Sequence, residues 1–187
     1  MRSIYFILLF SFVLSFWSCG KSPENTVNSQ NKEELIKPYQ YSYLIENEPD
    51  IFYGEIIYLP IYSEIFYKDQ KSTIQLSATL SIHNTDLRYP VTLKKVYYHD
   101  TKGRLIRKYI DTNRVLLPLE TLNIIIEDKD KTGGTGANFI VEWNTENEVS
   151  SPIVEALMIT TKMGQGISFT STGKVVKKFG KSIPVKH

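Results

Sequence analysis

The stretch Thr73–His83, TIQLSATLSIH, alternates apolar and polar residues from end to end. Its apolar positions are Ile74, Leu76, Ala78, Leu80 and Ile82. Successive side chains of a β-strand point to opposite faces of a sheet, so this alternation predicts a strand with one buried face. An amphipathic helix would repeat its apolar residues about every three to four positions, which this stretch does not do.

Other short segments between turn residues have a similar character and predict a series of strands. These segments are Gly54–Ser63, Val91–His99, Arg104–Ile110, Val115–Leu117, Leu122–Ile126, Asn138–Trp143 and Ile153–Thr160. Pro60 cannot donate a backbone hydrogen bond, which predicts an edge position for the first strand. The alternation slips at Lys94-Lys95, which predicts a β-bulge, and Asp100–Gly103 is typical of a hairpin turn. This spacing predicts an all-β fold, a single-domain, immunoglobulin-like antiparallel β-sandwich.

The two ends of the chain differ in composition from the predicted strands. Residues 1–18, MRSIYFILLFSFVLSFWS, combine Arg2 with an apolar run and a final small residue, which is typical of a signal peptide. The run is shorter than the roughly 20 apolar residues that a membrane-spanning helix needs. We therefore expect a lipoprotein signal peptide at 1–18, a flexible tether at 19–50, the folded domain at 51–178 and a basic tail at 179–187.

Cys19 is the single cysteine of the chain and directly follows the predicted leader. Residues Phe16–Cys19 resemble a lipobox, the site at which a bacterial lipoprotein is cleaved and acylated on its new N-terminal cysteine. Stable attachment to a bilayer needs more than one acyl chain, which a triacylated cysteine would supply. We predict lipidation of Cys19, the lipid bilayer as a partner, and a location at the outer membrane facing the periplasm.

The balance of charge and the cysteine count exclude several classes of protein. The chain has 22 Lys and Arg against 20 Asp and Glu, and removal of the leader takes away one basic residue, Arg2. A nearly neutral chain does not fit a nucleic-acid binder, so no nucleic acid is predicted as a partner. A single cysteine forms no intramolecular disulfide, and the fold must therefore rest on its hydrophobic core.

The common catalytic motifs are missing from the sequence. It contains no GxSxG nucleophile elbow, no HExxH zinc motif, no CxxC pair and no phosphate-binding GxxxxGK[ST] loop. We therefore predict a non-enzymatic protein that uses no cofactor, and an unrecognised hydrolase is the alternative.

The segment Glu127–Gly136, EDKDKTGGTG, is rich in acidic residues and glycine. Asp128, Asp130, Thr132 and Gly133 match early positions of a calcium-binding loop, although an apolar residue stands where the closing carboxylate belongs. The two aspartates also follow an apolar strand as in some phosphotransferases, but no helix follows them to bind phosphate. A loose cation site and a plain polar connection are the two interpretations left open.

His83 and His99 lie at the ends of neighbouring predicted strands. Imidazole and carboxylate ligands about 2.0–2.2 Å from an ion form a common type of metal site. A metal site is therefore predicted from His83, His99, Asp128 and Asp130, while exposed histidines at strand ends are the plainer alternative.

Two segments are rich in glycine and small polar residues, Thr132–Asn138 and Gly164–Thr172. Such loops offer backbone amides and hydroxyls to an anion, a glycan or an extended peptide, and they would form one rim if they shared an end of the sandwich. The candidate binding residues are Asp128, Asp130, Thr132, Gly133, Gly134, Gly136, Asn138, Gln165, Gly166, Ser168 and Ser171. The alternative is a pair of tight turns whose glycines serve backbone geometry. The Lys-rich end from Lys174 onward is interpreted as a solvated tail.

Five motifs in a fixed order give the chain a wider resemblance. They are LPIYSEIF (Leu59–Phe66), ATLSIHNTD (Ala78–Asp86), YYHDTKGRLI (Tyr97–Ile106), GGTGANFIVEW (Gly133–Trp143) and QGISFTSTGK (Gln165–Lys174). Together they resemble DUF3124, a bacterial family of secreted or lipid-anchored proteins, over residues 54–176. The resemblance implies an envelope location and a compact β-rich domain, and it implies no known activity or site residue.

These features predict a membrane-anchored bacterial lipoprotein with a non-catalytic binding or assembly module for an unknown envelope protein or polymer. Pairing of a partner strand with the predicted edge strand Gly54–Ser63 is the expected mechanism. The alternative function is a periplasmic metal- or small-ligand-binding protein that uses the Gly-rich loop carrying Asp128 and Asp130.

Overall fold

A computed structural model describes residues 52–164 and 166–180. Contacts divide the chain into two units, Met1–Tyr43 and Leu44–His187, and every described residue belongs to the second unit. The predicted leader, the tether with Cys19 and the end of the predicted tail lie outside the described residues. Among those described, no helix is long and apolar enough to cross a membrane.

The described part of the chain consists of strands joined by turns. The strands are β1 Tyr53–Ile61, β2 Glu64–Tyr67, β3 Asp69–Gln75, β4 Ser77–His83, β5 Val91–His99, β6 Leu105–Ile110, β7 Arg114–Leu116, β8 Thr121–Ile126, β9 Ala137–Thr145, β10 Ile153–Thr160, β11 Ile167–Thr172 and β12 Lys174–Gly180. Two short 3-10 turns occupy Gly134–Gly136 and Lys162–Gly164.

The strands form two antiparallel sheets and one separate hairpin. One sheet has the order β12-β1-β9-β5-β6, with β7 also paired to β5, and the other has the order β11-β10-β4-β8. The hairpin is β2-β3. The chain crosses between the two sheets after β4, β7, β8, β9 and β11. The predicted all-β, antiparallel sandwich is confirmed.

The hydrophobic core lies between the two sheets and receives side chains from both. Its largest fully buried members include Leu59, Leu93, Phe139 and Trp143 from the six-stranded sheet and Leu80, Ile82, Ile126 and Met158 from the four-stranded sheet. Full burial of one such side chain contributes about 1.5–3 kcal/mol. Two interlocked faces therefore supply a core without help from a disulfide.

The alternating stretch Thr73–His83 keeps its predicted faces but belongs to two strands. Its apolar positions are all buried, while β3 pairs with the hairpin strand β2 and β4 joins the four-stranded sheet. The break falls at Leu76, whose amide donates a hydrogen bond of 2.8 Å to the carbonyl of Ser63. One continuous alternation of apolar and polar residues therefore covers two strands that pair with different partners.

Strand β1 is an inner strand, so the predicted edge position for Gly54–Ser63 is wrong. It pairs with β9 along its whole length, and with β12 between Tyr53 and Tyr58. Pro60 lies beyond the stretch that pairs with β12. Its missing amide therefore removes no hydrogen bond from that pairing.

The predicted irregularities of β5 are confirmed. The register between β5 and β9 shifts between Leu93 and Lys95, as the predicted bulge requires. The turn from β5 to β6 is closed by the Asp100 carboxylate, which accepts hydrogen bonds of 2.9 Å from the amides of Lys102 and Arg104. Gly103 in this turn has a φ of +75°, where glycine is favoured.

The C-terminal part of the domain contains strands where a loop and a tail were predicted. Ile167–Thr172 is β11, and β12 continues to Gly180, past the predicted domain boundary. Between them, Gly173 marks the point where the chain passes from one sheet to the other. A Cβ at this glycine would lie 2.5 Å from Cγ2 of Ile57 in β1 and 3.0 Å from the carbonyl oxygen of Val154 in β10. Both sheets therefore press on this residue, which leaves room for glycine alone.

Candidate functional site

The two predicted binding segments reach the same end of the sandwich. At this end Ile61 of β1 pairs with Ala137 of β9, whereas Tyr53 at the other end pairs with Gly180 and Thr145. We call the first of these the loop end, formed by residues 100–104, 127–136 and 161–164. The chain enters the domain at the opposite end, where β1 begins.

The Gly-rich segment at the loop end is held in place by hydrogen bonds from other segments of the domain. The carbonyl of Gly133 accepts bonds from the amide and the hydroxyl of Thr101, at 3.0 and 2.9 Å. The Thr101 hydroxyl in turn accepts a bond of 3.0 Å from the amide of Gly136. The carbonyl of Gly134 accepts a bond of 3.3 Å from the amide of Ser63. These groups are used within the fold, which favours the tight-turn interpretation of this segment.

Close packing explains the glycine at position 133. A Cβ there would lie 1.9 Å from the hydroxyl of Tyr98 and 2.5 Å from Oγ of Ser63. Those two oxygens are hydrogen-bonded at 3.0 Å, and the Tyr98 ring stacks on Phe139 with ring centroids 5.0 Å apart. Gly134 has a φ of +72°, so it also serves the turn.

Asp128 and Asp130 have different cationic partners. Nζ of Lys162 lies 2.9 Å from Oδ2 of Asp128, and the Lys162 ammonium holds the pKa of that carboxyl below its usual range. Nη2 of Arg107 lies 3.5 Å from Oδ2 of Asp130, and Oδ1 of Asp130 accepts hydrogen bonds from the amide and hydroxyl of Thr132. Each carboxylate is therefore balanced by its own basic side chain, not by a shared ion.

The predicted metal ligands are not brought together. His83 is in the four-stranded sheet, where Nδ1 lies 2.9 Å from Oγ1 of Thr121 and Nε2 lies 3.6 Å from Glu155. His99 is in the other sheet at the loop end, beside the candidate binding residue Asn138 of β9. Within residues 52–164 and 166–180, no three His, Cys, Asp or Glu side chains form a group that could hold a metal ion.

His99 and Asp100 form a buried ionisable pair at the loop end. Burial lowers the pKa of His99, although the charge of Asp100 opposes this effect. Burial would raise the pKa of Asp100, but hydrogen bonds from the amide and guanidinium of Arg104 and from the amide of Lys102 lower it overall. Nη2 of Arg104 lies 2.6 Å from Oδ2 of Asp100. This network fixes the hairpin that holds the Gly-rich segment.

An open cleft of about 390 Å³ lies between the ends of β8 and β10. The apolar side chains of Ile125 and Ile159 line it, and the Asp128–Lys162 ion pair stands at its rim. An apolar lining beside opposite charges suits a small amphipathic molecule. Of the predicted binding residues that the structure describes, Asp128 alone lines the cleft.

The candidate residues after β10 have different environments. Gly166 precedes β11, whereas Gln165 lies outside the described residues. Ser168 is exposed on β11. Ser171 is half-buried, and its hydroxyl donates a hydrogen bond of 2.5 Å to the carbonyl of Pro60 in β1. Ser171 therefore joins the two sheets, and Ser168 belongs to the open surface.

The outer strands of the two sheets differ in charge. Strand β12 carries Lys174, Lys177 and Lys178, β6 carries Arg107 and Lys108, β7 carries Arg114, β8 is bracketed by Glu120 and Glu127, and β11 carries no charged residue. No described strand pairs with the outer edge of β11. Charged side chains on an edge discourage pairing with another chain. Strand β11 is therefore the least protected of these edges.

The outer face of the four-stranded sheet presents apolar side chains beside hydroxyl groups. Ile125, Ile153, Leu157 and Ile159 are each between 43 and 62% exposed. Leu157 lies between Thr170 of β11 and Thr79 of β4, and Thr79 lies beside Ile125. Grouped exposed apolar side chains are typical of interaction surfaces.

The edge of β11, unpaired among the described residues, is the candidate binding feature that the sequence analysis missed. The glycines at 166 and 173 favour a loop, and they hide a short alternation in ISFTST. Ile167 and Phe169 are half-buried, whereas Ser168 and Thr170 are exposed. This alternation, together with the absence of charge, is the signal that could have found the strand.

Comparison with known proteins adds a family and little else. A family model described as "Protein of unknown function (DUF3124)" matches residues 54–176. No curated protein matches the chain. A solved structure, "Crystal Structure of Thermotoga maritima 1070", is similar at 10% identity and a TM-score of 0.43, covering 64% of this chain and 92% of that one. Such a weak likeness carries no functional conclusion. Because the family model spans the sandwich from β1 to β12, the chain belongs to the DUF3124 family of proteins of unknown function.

Proposed function

We propose that this protein is a lipid-anchored module of the bacterial cell envelope that binds an extended segment of a partner protein along β11. The observation that carries this proposal is the free, uncharged outer edge of β11 beside an apolar sheet face. An extended segment adds to such an edge through main-chain hydrogen bonds. The module needs no catalytic group, and β11 takes the place of the edge predicted at Gly54–Ser63.

The surroundings of β11 indicate what kind of segment would fit. Half of the added side chains would lie beside the exposed Ser168, Thr170 and Thr172. The other half would approach Phe169, whose ring centroid is 6.0 Å from that of Tyr62. Aromatic and β-branched cross-strand pairs each contribute roughly 0.2–1 kcal/mol. An uncharged segment with alternating β-branched or aromatic residues therefore fits best.

The anchor and the binding edge fit together in the proposed arrangement. Lipidation at Cys19 would tie the chain to a membrane, and we place the protein at the outer membrane facing the periplasm. The chain from Cys19 would enter the domain at Phe52, at the end of the sandwich opposite the loop end. The loop end would then lie on the far side of the domain from its attachment.

Site-specific photo-crosslinking in the native envelope tests the binding edge. A photoreactive residue at Thr170 of the full chain should give one defined crosslinked product, and the added charge of Ser168→Lys should remove it. The matched control places the same residue at Val176, which is exposed on the Lys-bearing strand β12. Equal products from both positions, or none from Thr170, would contradict the proposal.

Metabolic labelling tests the anchor independently. The full chain should incorporate a palmitate analogue, and the Cys19→Ser variant should not. Failure of the unmodified chain to take up the label would overturn lipidation while leaving the binding edge open to its own test.

The cleft between β8 and β10 favours a second candidate, the binding of a small amphipathic ligand. An anilinonaphthalene sulfonate dye is a suitable probe, since its rings match Ile125 and Ile159 and its sulfonate matches Lys162. Saturable fluorescence should weaken in Lys162→Ala and persist in Leu87→Ser, a control at an exposed residue elsewhere. A non-saturable signal, or equal effects of both variants, would reject this candidate.

A further inference from the structure

We infer that the β11 edges of two copies of this chain pair with each other, antiparallel, and form a twofold dimer. The four-stranded sheet of each copy would then continue into that of the other. This inference rests on the proposed role of β11 as an open edge and names a second copy as its occupant. In a twofold interface the same patch of both copies must be complementary to itself.

Charge makes β11 the edge best suited to pair with itself. Residues 166–173, GISFTSTG, contain no acidic or basic residue. Self-pairing of β12 would instead place the lysines of the two copies together, and self-pairing of β6 would do the same with Arg107 and Lys108. Self-pairing of β8 would bring Glu120 of one copy towards Glu127 of the other. Like charges directly opposite each other destabilise a strand pair.

The side chains of β11 also suit self-pairing. Opposite residues of an antiparallel pair point to the same face of the sheet. The exposed set Ser168, Thr170 and Thr172 must therefore face the same set of the other copy. Hydroxyl side chains opposite each other form favourable hydrogen-bonded pairs. The outer apolar face with Leu157 and Ile159 would extend across both copies.

The requirement that the exposed residues of the two β11 strands lie opposite each other limits the twofold axis to a few positions along the strand. If the axis passes through Thr170, the two Thr170 residues are opposite each other. If it passes through Phe169, Ser168 of one copy lies opposite Thr170 of the other. A single six-residue strand pair is smaller than a typical stable interface, so the dimer should be weak in dilute solution. Attachment of both copies to one membrane would raise their effective concentration.

Disulfide formation tests this inference directly. In the full chain with Cys19→Ser, an introduced cysteine is the sole thiol, since Cys19 is the single cysteine of the sequence. Because this variant lacks the proposed anchor, it is oxidised at a protein concentration high enough to populate a weak dimer. Thr170→Cys, or an equal mixture of Ser168→Cys and Thr170→Cys chains, should form disulfide dimers at least about tenfold faster than Val176→Cys, because paired strands hold the sulfurs at high effective concentration. Unchanged thermal melting would show that each variant is folded.

The outcomes separate self-pairing from the proposed function. Rates no higher than that of Val176→Cys overturn self-pairing. If Thr170 still crosslinks to a different protein in the envelope, the proposed function stands and its partner is not a second copy. If neither crosslink forms, both proposals fail.

Discussion

The carbonyl oxygen of Gly133 accepts two hydrogen bonds from Thr101, one from its amide at 3.0 Å and one from its hydroxyl at 2.9 Å. These bonds fasten the Gly-rich connection after β8 to the hairpin between β5 and β6. The connection crosses from one sheet to the other, so this contact also ties the sheets together at the loop end. The segment around Gly133, which resembles a ligand-binding loop in the sequence, therefore has a structural role as the contact that connects the two sheets.

Substitution of Gly133→Ala should destabilise the domain by about 1–3 kcal/mol, the usual cost of overpacking. The new methyl group would collide with the hydroxyl of Tyr98 and disrupt the packing around Gly133. Urea unfolding measures the change. Gly166→Ala is the matched control, because the nearest heavy atom to its added Cβ lies at 4.0 Å. Equal stability of the two variants would show that position 133 has room for a side chain.

The stability of the domain should fall as the pH decreases below 6.5, and His99 should account for part of the fall. Burial lowers the folded-state pKa of His99 from 6.5, so the unfolded chain binds a proton at a higher pH than the folded domain. The stabilising contribution is therefore complete above about 6.5 and is lost as the pH falls towards the lower folded pKa. Urea unfolding of the parent and His99→Gln between pH 7 and 5 should give a smaller slope for the variant. Identical slopes would contradict this assignment.

Loss of the Tyr53 hydroxyl should destabilise the domain at neutral pH by about 1–3 kcal/mol, the cost of removing a partner from a buried polar group. This hydroxyl donates a hydrogen bond of 2.6 Å to the carboxylate of Glu55, which is 1% exposed. Chemical denaturation of Tyr53→Phe measures the loss. Tyr58→Phe, at a more exposed position of the same strand, is the control.

The same tyrosine should make the domain sensitive to high pH. Burial, the hydrogen bond to Glu55 and the charge of Glu55 together raise the pKa of Tyr53 above its ordinary value of 10.0. Its contribution is therefore complete below about pH 10 and is lost as the pH rises through the folded pKa. The difference in stability between the parent and Tyr53→Phe should shrink at alkaline pH. A constant difference would contradict this mechanism.

Chelation should leave the folded domain unchanged. Asp128 and Asp130 are paired with separate basic side chains, and His83 and His99 lie in different sheets. Thermal melting of the purified chain should therefore be the same with and without a chelator, and added Ca²⁺ or Zn²⁺ should not raise the melting temperature. A stoichiometric metal with a melting shift would restore the predicted metal site.

Local patterns predicted much of the fold, and they failed where distant parts of the chain decide the outcome. The alternation around Leu80 identifies the buried face of β4 because side-chain direction has a period of two in any strand. Pro60 predicts an edge strand because proline cannot donate a hydrogen bond to a neighbouring strand. The neighbour of β1 on that side, β12, lies more than a hundred residues away in the sequence, and its pairing with β1 ends at Tyr58, before Pro60 is reached. Sequence position alone does not reveal where a distant partner ends.

The candidate site shows the same division. The composition around Gly133 predicts a loop at one end of the sandwich, and the loop is there. Whether its backbone amides and carbonyls are free depends on Thr101 and Ser63, which lie in other connections. The open edge of β11 depends in turn on the two sheets having no further strand beside it among the described residues.

The sequence by itself determined the all-β class, the buried face of the stretch Thr73–His83, the bulge at Lys94-Lys95 and the resemblance to the family. The first three follow from residue type and local spacing, because the period of a strand and the geometry of a turn act over a few residues, and the family follows from the resemblance of five motifs in a fixed order. The tertiary structure alone decided which strands are inner and which are edges, that Gly173 carries the chain between sheets, and that the predicted metal ligands stay apart. These features depend on which distant segments pair, and burial and hydrogen bonding across the whole fold decide between the possible pairings.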